Sequence, residues 1–448
     1  STLFPYTTLF RSTNRVGLIM HENVIAIAIF IVVIASVALD KIHKATIAIL
    51  GMVMLFITRI FTVQEAIEHV DFNTIGVLLG MMLFVGVVKQ SGLFEYIAIK
   101  TAKLAGGNPV KILVFFIAIT AFLSAFLDNV TTVLLIGPMT ITIAKLLSIN
   151  PVPLLINQIL ASNIGGTATL IGDPPNIMIG SAANLGFIDF LQNTAPVAII
   201  TMVILMYIMK TNYSEKLKAS DEAISKMMQL DETKAITDHS LLLKSSIMIP
   251  IVTIAFILHD LIHIDTATIA LSAAGIMLLI GKQDVNDVIE GVEWPTLIFF
   301  IGLFVIVGGL EKTGVIHSIA IFLLNTTHGH PISTMLILLW ASALLSAILD
   351  NIPFVATLIP LIGAMEATGV DVAPLWWAIS LGACLGGNGT LIGASANVVL
   401  SSISNKNGFP ITFKSYLKFG LPVMLFSVLI ASARSEEHTS ELQSHQPI

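Results

Sequence analysis

Long apolar runs, seldom interrupted by charged residues, recur from one end of this chain to the other. One run covers residues 24–39, and others begin near Ala45, Thr74, Ile112, Leu154, Val197, Ser246, Ala267, Thr296, Thr334, Leu375 and Phe419. Each is long enough, with tilt, to cross a hydrocarbon core of ~30 Å as a helix. Charged residues make up 11% of the chain and hydrophobic residues 55%, whereas a soluble domain has about 25% charged residues. The chain is therefore predicted to be an all-α polytopic membrane protein.

The composition also excludes several functions. Cys384 is the one cysteine, so the chain can build neither a disulfide framework nor a multi-cysteine metal site, and redox chemistry is excluded with them. The formal net charge of −6 arises from acidic residues spread through loops, and no basic stripe marks a nucleic-acid partner. We expect no cofactor beyond a coupling ion, Na+ or H+.

The two ends of the chain are set apart from the fold. The segments 1–12 and 434–448 look like translated adapter sequence, and we interpret them as artefacts. We take residues 13–433 as native sequence. The charges in the two end segments change none of the predictions below.

The second half of the sequence repeats the first at a constant offset, which becomes one position shorter further along the chain. The matching stretches are 45–48 with 267–270, 124–129 with 346–351, and 165–176 with 386–397. The coincidence of glycine, Asp-Asn and threonine positions is too detailed for shared hydrophobicity alone. The chain therefore divides into a first transmembrane repeat at 13–211, a cytosolic linker at 212–245, and a second transmembrane repeat at 246–433.

Lysine and arginine residues indicate the orientation of the repeats. Placing the linker on the cytosolic side brings most of the lysines there and leaves only Arg15, Arg59 and Lys312 outside. That solution needs five crossings in each repeat, so the second repeat enters the membrane upside down. Inverted repeats are typical of secondary transporters that alternate access around a central site.

The apolar stretch 112–147 has two interpretations. It can form two full spans or a re-entrant hairpin, since both return the chain to the same side. Its turn, 128–132, is short and has apolar surroundings, which favours a hairpin tip buried inside protein. The counterpart in the second repeat covers residues 335–366.

Asp128 and Asp350 lie at the two predicted hairpin tips, each followed by an asparagine. An ionised carboxylate inside a membrane costs several kcal/mol unless it is paired, hydrated or bound to a cation. A carboxylate beside amide and hydroxyl oxygens suits sodium or a proton. The alternative is that each aspartate only caps the start of a helix. Thr131 aligns with Pro353, so the two half-sites cannot be equivalent.

Glycine pairs and a Pro-Pro step form the second constellation, at 162–176 and 384–397. These residues predict a broken transmembrane helix, which presents a free helix N-terminus to an anion and free carbonyls to a cation. The alternative is that the glycines only allow close helix packing. Asp173 has no acidic partner at Ala394. Each repeat is thus predicted to hold about five transmembrane helices, one re-entrant hairpin and one broken helix.

The chain resembles the ion transporter superfamily, specifically the ArsB/NhaD and citrate-transporter-like (P protein) permeases. The motifs that carry the resemblance are 127–132 and 165–176. The resemblance implies two re-entrant hairpins, two broken helices, an elevator-like transport domain and a homodimer in the inner (cytoplasmic) membrane. In the related carboxylate transporters, comparable residues hold substrate and sodium. Carried over, that implies roles for Asn129, Thr131, Asn163, Thr167, Thr169, Asn176, Asn351, Asn388, Thr390 and Asn397.

The chain departs from those carboxylate transporters at both tips, where Asp128 and Asp350 stand in place of serine. Two fixed carboxylates repel a dicarboxylate unless protons or sodium neutralise them. We therefore predict proton- or sodium-coupled exchange, with the two aspartates carrying the coupling ion and sodium or arsenite as the exported species. A sodium-coupled di- or tricarboxylate symporter is the alternative, and an intramembrane aspartyl protease is a remote one. No enzymatic activity is expected.

The predicted substrate- and ion-binding residues combine the two tips with the two broken helices. Sodium is expected at Asp128, Asn129, Asp350 and Asn351. The whole predicted set is Asp128, Asn129, Thr131, Thr132, Asn163, Gly165, Gly166, Thr167, Thr169, Asp173, Asn176, Asp350, Asn351, Gly386, Gly387, Asn388, Thr390, Ser395 and Asn397.

Overall fold

The computed structural model describes the backbone of residues 6–39, 41–327 and 330–444, and the side chains of 22–39, 41–327 and 330–434. Within these ranges the regular structure is entirely helical, with no strand. The end segments 1–12 and 434–448 fall mostly outside the described side chains. Their interpretation as artefacts stays a prediction.

The first half of the chain forms eleven helices before the linker. They are α1 (Tyr6–Leu39), α2 (Lys44–Ile57), α3 (Val63–Glu68), α4 (Phe72–Lys89), α5 (Leu93–Leu104), α6 (Pro109–Phe126), α7 (Asn129–Leu146), α8 (Val152–Thr167), α9 (Pro174–Ala183), α10 (Phe187–Asn193) and α11 (Ala195–Tyr213). The linker carries α12 (Asp221–Met228) and a 3-10 turn (Glu232–Ala235).

The second half repeats this order. Its helices are α13 (His239–Ile262), α14 (Thr266–Gly281), α15 (Val285–Glu290), α16 (Trp294–Lys312), α17 (Val315–Thr326), α18 (Pro331–Ile348), α19 (Asn351–Glu366), α20 (Ala373–Gly386), α21 (Ser395–Lys406) and α22 (Phe413–Ser444). Helices α14 to α19 begin at positions equivalent to the starts of α2 to α7, all at one constant offset along the chain. Helices α20 and α21 correspond to α8 and α9 at the slightly shorter offset that the sequence shows there. The repeat found in the sequence is therefore a repeat of helices.

Nine helices in the described part of the chain are long and apolar enough to cross a membrane. Among them are α6 and α7, both 18 residues long, and α18, which is the counterpart of α6. Shorter apolar helices, including α14 and α20, lie between them. The predicted all-α polytopic membrane fold is confirmed.

One compact unit consists of residues 1–71, 294–330 and 356–372. In it α2 packs on α16, where a β-carbon on Gly302 would lie 2.8 Å from the β-carbon of Ala48. This spacing allows close backbone approach because the glycine has no side chain. The Glu65 carboxylate accepts a hydrogen bond of 2.6 Å from Lys312 Nζ, which ties α3 to the end of α16.

The other compact unit consists of residues 72–293, 331–355 and 373–448. Helix α14 packs on α4 in it, with Gly80 against Ala270. The unit also contains the contacts of α6 with α8 and of α18 with α20. These contacts bring each hairpin tip onto the broken helix of its own repeat.

The hairpin interpretation of 112–147 agrees with the position of its tip. Ser124 Oγ donates to Ser162 O over 2.7 Å, and Asn129 Nδ2 donates to Asn163 Oδ1 over 3.2 Å. Both acceptors lie near the end of α8, where the broken helix is interrupted, and both are fully buried. The tip therefore ends inside the protein beside the break, as a re-entrant hairpin does.

Candidate functional site

The two broken helices are interrupted at equivalent places. Helix α8 ends at Thr167 and α9 begins at Pro174, while α20 ends at Gly386 and α21 begins at Ser395. Proline is favoured at the first position of a helix, as Pro174 is in α9, because a backbone N–H at that position would have no acceptor within the helix. The backbone between the helices leaves carbonyl groups that need donors inside the protein.

Two asparagines supply those donors. Asn176 Nδ2 donates to Thr169 O over 2.9 Å and to the carbonyls of Gly166 and Thr167 over 3.3 Å. Its counterpart Asn397 donates to Gly387 O and Thr390 O over 2.8 and 2.9 Å. The two predicted asparagines thus hold the breaks in shape.

Threonine hydroxyls fasten the breaks to the hairpins. Thr169 Oγ1 donates to Ala125 O, and Thr390 Oγ1 donates to Ala347 O over 2.5 Å. Thr167 instead donates to Asn163 O one turn earlier in α8, over 2.7 Å. These three threonine hydroxyls therefore already have structural partners.

The two tip aspartates have different hydroxyl partners. Asp128 is the N-cap of α7 and accepts from Thr131 N over 2.8 Å and from the Thr131 hydroxyl. Asp350 accepts from Ser395 Oγ over 2.7 Å and, through a long contact of 3.4 Å, from Ile352 N. The capping alternative thus describes a real role of Asp128, while Asp350 is joined to the second broken helix.

Asn163 links residues of both repeats. Its Oδ1 accepts from Asn129, and its Nδ2 donates to Asn388 Oδ1 and Asn397 Oδ1, both over 2.9 Å. The side chains of Asn163, Asn388 and Asn397 are fully buried. Asn388 Nδ2 has no hydrogen-bond partner in the described part of the chain, so one amide donor remains available in this cluster.

Asp173 meets the tip of the second hairpin. Asn351 Nδ2 donates to both of its carboxylate oxygens, over 3.2 and 3.3 Å. Asp173 is 1% exposed. The carboxylate belongs to the first repeat and the amide to the second, so the pair joins the two repeats inside one compact unit.

The sequence interpretation missed two residues of this site. Ser380 Oγ donates to Asn176 Oδ1 over 2.7 Å, and Cys384 Sγ donates to the same oxygen over 3.4 Å. Cys384 is absent from the predicted set of site residues. Its alignment with Asn163 in the repeat was the signal that could have identified it.

The remaining predicted residues pack the site. A β-carbon on Gly165 would lie 2.2 Å from Ala121 O, and one on Gly386 would lie 2.6 Å from Ala343 O. Gly166 and Gly387 face the backbone of their own breaks. The Thr132 hydroxyl is fully buried and has no partner among the described residues.

The four segments that carry the site, 112–144, 151–183, 331–366 and 373–405, contain no lysine, arginine or histidine. In the described part of the chain no group of three or more His, Cys, Asp or Glu side chains could hold a metal ion. The carboxylates of the site accept hydrogen bonds from amide, hydroxyl and backbone N–H groups.

Comparisons with known proteins agree with this architecture. The sequence profile of the citrate transporter family (CitMHS) matches residues 28–382. The chain belongs to the citrate transporter family. A 46 kDa membrane protein of Mycobacterium leprae is 40% identical over 91% of this chain and 97% of its own length. An uncharacterized transporter of Synechocystis is 32% identical over 91% and 95%.

One further relative of this citrate transporter family member and one solved structure of similar fold extend the comparison. The human P protein is 30% identical over 92% of this chain, which spans 60% of the P protein. The crystal structure of the YdaH transporter of Alcanivorax borkumensis has a TM-score of 0.60 at 16% identity, covering 93% of this chain and 97% of that one. The predicted family resemblance is confirmed, and the relatives named as transporters support a non-enzymatic role.

Proposed function

We propose that this protein is a secondary active, proton- or sodium-coupled exchanger of the ArsB/NhaD type. The exported species is a small inorganic ion, either sodium, in exchange for protons, or arsenite. The observation that carries the proposal is the charge of the site. Asp128, Asp173 and Asp350 stand among amides and hydroxyls in segments without any basic side chain. A carboxylate inside the membrane-spanning part of a protein, such as Asp173 at 1% exposure, is stable only when a cation or a proton offsets its charge.

The inverted repeats support alternating access. A transporter must expose one site to each side of the membrane in turn, and two copies of one unit with opposite orientation provide related inward and outward arrangements. The fold likeness to YdaH supports this architecture. We place the protein, as a multi-pass homodimer, in the cytoplasmic membrane, where an ion gradient can drive it.

A sodium-coupled di- or tricarboxylate symporter is the second candidate. The citrate transporter family profile favours it, as do the available Asn388 amide and Thr132 hydroxyl, since both groups can donate to a carboxylate. With no lysine or arginine in the site segments, sodium bound at the tip aspartates would have to neutralise such a substrate. Sodium dependence is therefore the expected property of this candidate.

Flux in proteoliposomes tests the proposal. Purified protein is reconstituted with a pH-sensitive dye inside, and sodium, lithium, arsenite and citrate are added in turn, with Asp128→Asn as the control. Proton movement on addition of sodium, lithium or arsenite is expected. Citrate uptake that requires sodium, without proton movement on any cation, would overturn exchange in favour of the symporter.

A further inference from the structure

The three carboxylates of the site differ in which groups donate hydrogen bonds to their oxygens. Asp128 accepts hydrogen bonds at the start of α7, and Asp350 accepts from the start of α21 through Ser395. Asp173 also precedes a helix, α9, but its side chain makes no capping hydrogen bond to that helix. It faces the tip of the second hairpin instead. Helix capping therefore does not account for this carboxylate.

The immediate partners of Asp173 are hydrogen-bond donors. The Asn351 amide donates to both oxygens. Asp173 is 1% exposed, and the four segments that carry the site contain no basic side chain. A carboxylate in such surroundings can lose its charge by binding a proton.

We propose that Asp173 carries the proton in the transport cycle and that Asn351 responds to its protonation. When Asp173 is ionised, Asn351 Nδ2 donates to both oxygens. When Asp173 is protonated, its O–H becomes a donor, and the amide must turn to present its oxygen. Only an O–H bond forms or breaks, and the proton enters from one side of the membrane and leaves to the other. This inference rests on the function proposed above.

The position of Asn351 connects the proton to the second hairpin. Asn351 is the first residue of α19 and directly follows Asp350, the tip residue that accepts from Ser395. A change in the Asp173–Asn351 pair therefore acts on the backbone that positions Asp350. Protonation of Asp173 therefore changes how this tip is held.

The first hairpin has no equivalent switch. Its tip asparagine, Asn129, donates to Asn163, a neutral amide that cannot titrate. Cys384 occupies the position of Asn163 in the second repeat, and Ala394 occupies the position of Asp173. The first hairpin tip is therefore held by a contact between two neutral amides, whereas the second is held by a contact whose carboxylate can bind a proton.

The decisive variant is Asp173→Asn, which preserves shape and removes the titration. We compare it with wild type in two assays on the same proteoliposomes, proton movement reported by the internal dye and exchange of radioactive sodium for sodium at equal concentrations. The variant is expected to move no protons, and its sodium exchange is expected to vary less steeply with pH than that of wild type. Wild type is expected to show both activities.

A second variant guards against misfolding. The double exchange Asp173→Asn with Asn351→Asp keeps one carboxylate facing one amide across the same contact. It is expected to elute as folded protein and to regain proton movement. Proton movement by Asp173→Asn at the wild-type rate, or a folded double variant without proton movement, overturns the assignment of the proton to Asp173. Absence of proton movement in wild type with every cation would contradict the proposed exchange instead, so the two failures are distinguishable.

Discussion

Ser395 Oγ donates to Asp350 Oδ2 over 2.7 Å, whereas the equivalent aspartate, Asp128, takes its hydroxyl donor from Thr131 of its own hairpin. The repeat aligns Thr131 with Pro353 and Ser395 with Pro174. In the first repeat the hairpin tip carries the hydroxyl and the start of the second half of the broken helix carries the proline. In the second repeat the hairpin tip carries the proline and the broken helix carries the hydroxyl. Each tip aspartate keeps one hydroxyl donor, although the donor comes from a different helix in each repeat.

Removing the hydroxyl of Ser395 is expected to weaken ion binding at the second tip. Ser395→Ala deletes a hydrogen bond to a charged group, which contributes about 1.5–3 kcal/mol, or roughly a tenfold or greater rise in the half-saturating ion concentration. The measurement is the concentration dependence of flux. Ser401→Ala is the control, because Ser401 lies on the same helix and donates only to Ile411 O, over 3.4 Å. An equal effect of both changes would contradict a role specific to Ser395.

The linker lies close against the start of α5 in the first repeat. Gly92 has φ +78°, and a β-carbon there would lie 1.9 Å from Ala235 O of the linker. Thr237 N donates to Ser91 O over 3.1 Å beside it. The counterpart Gly314 has φ +79°, but a β-carbon built there would have no atom of another described residue within 4 Å, apart from its chain neighbours. The two glycines share a backbone conformation and differ in what lies against them.

Gly92→Ala is therefore expected to displace the linker, and Gly314→Ala is the matched control for backbone strain. Both variants place a side chain in the left-handed region, so the difference between them isolates the clash with Ala235. We expect faster cleavage by trypsin after Lys234 in Gly92→Ala only. Equal cleavage rates in the two variants would show that the linker is not held at this contact.

The ion pair of Lys103 with Glu232 gives linker docking a defined pH dependence. The 2.5 Å contact with Lys103 holds the pKa of the Glu232 carboxyl below its ordinary value of 4.5. A lowered pKa in the docked state means that the pair stabilises docking fully above that ordinary value, and that the contribution is lost as the pH falls below it. At neutral pH the pair is fully formed.

Glu232→Gln is accordingly expected to lower the melting temperature at pH 7 and to have a diminishing effect as the pH falls below 4.5. Thermal unfolding in detergent at several pH values measures this difference. Glu222→Gln serves as the comparison, because its partner Lys226 lies on the same short exposed helix and such pairs contribute little. A Glu232→Gln effect that grows in acid would contradict the assigned sign.

The fold could be predicted from the sequence because burial in a membrane and internal repetition both produce patterns that can be read directly from the order of the residues. Apolar runs predicted the helices, and the matches between the two halves of the chain predicted which helices correspond. Gly165-Gly166 and Pro174-Pro175 predicted the break between α8 and α9, since both pairs disfavour a continuous helix.

The pairing of side chains across the site could not be predicted in the same way. Asn129 and Asn351 are equivalent in sequence, yet Asn129 donates to Asn163 and Asn351 donates to Asp173. Asn129 contacts the broken helix of its own repeat, whereas Asn351 contacts the broken helix of the other repeat, and tertiary packing decides between these two contacts. The sequence therefore identified the participating residue types and left their partners undetermined.

Asn163 offers a final test of how the two repeats are joined, because three amides from other elements converge on it. Asn163→Leu removes every one of these hydrogen bonds and leaves Asn129, Asn388 and Asn397 without their buried partner. An unsatisfied buried polar group costs about 1–3 kcal/mol, so we expect a large fall in melting temperature together with loss of flux.

Asn157 on the same helix is the matched control for that change. It is also fully buried, but its side chain donates only to Pro153 O within α8, over 2.8 Å, and its oxygen has no partner among the described residues. Asn157→Leu therefore removes little and relieves one unsatisfied group, so its melting temperature is expected to equal or exceed that of wild type. Equal losses in the two variants would mean that burial of asparagine in α8, and not the amide junction at Asn163, determines stability. A fall confined to Asn163→Leu would identify this junction as the connection through which the first broken helix holds the second.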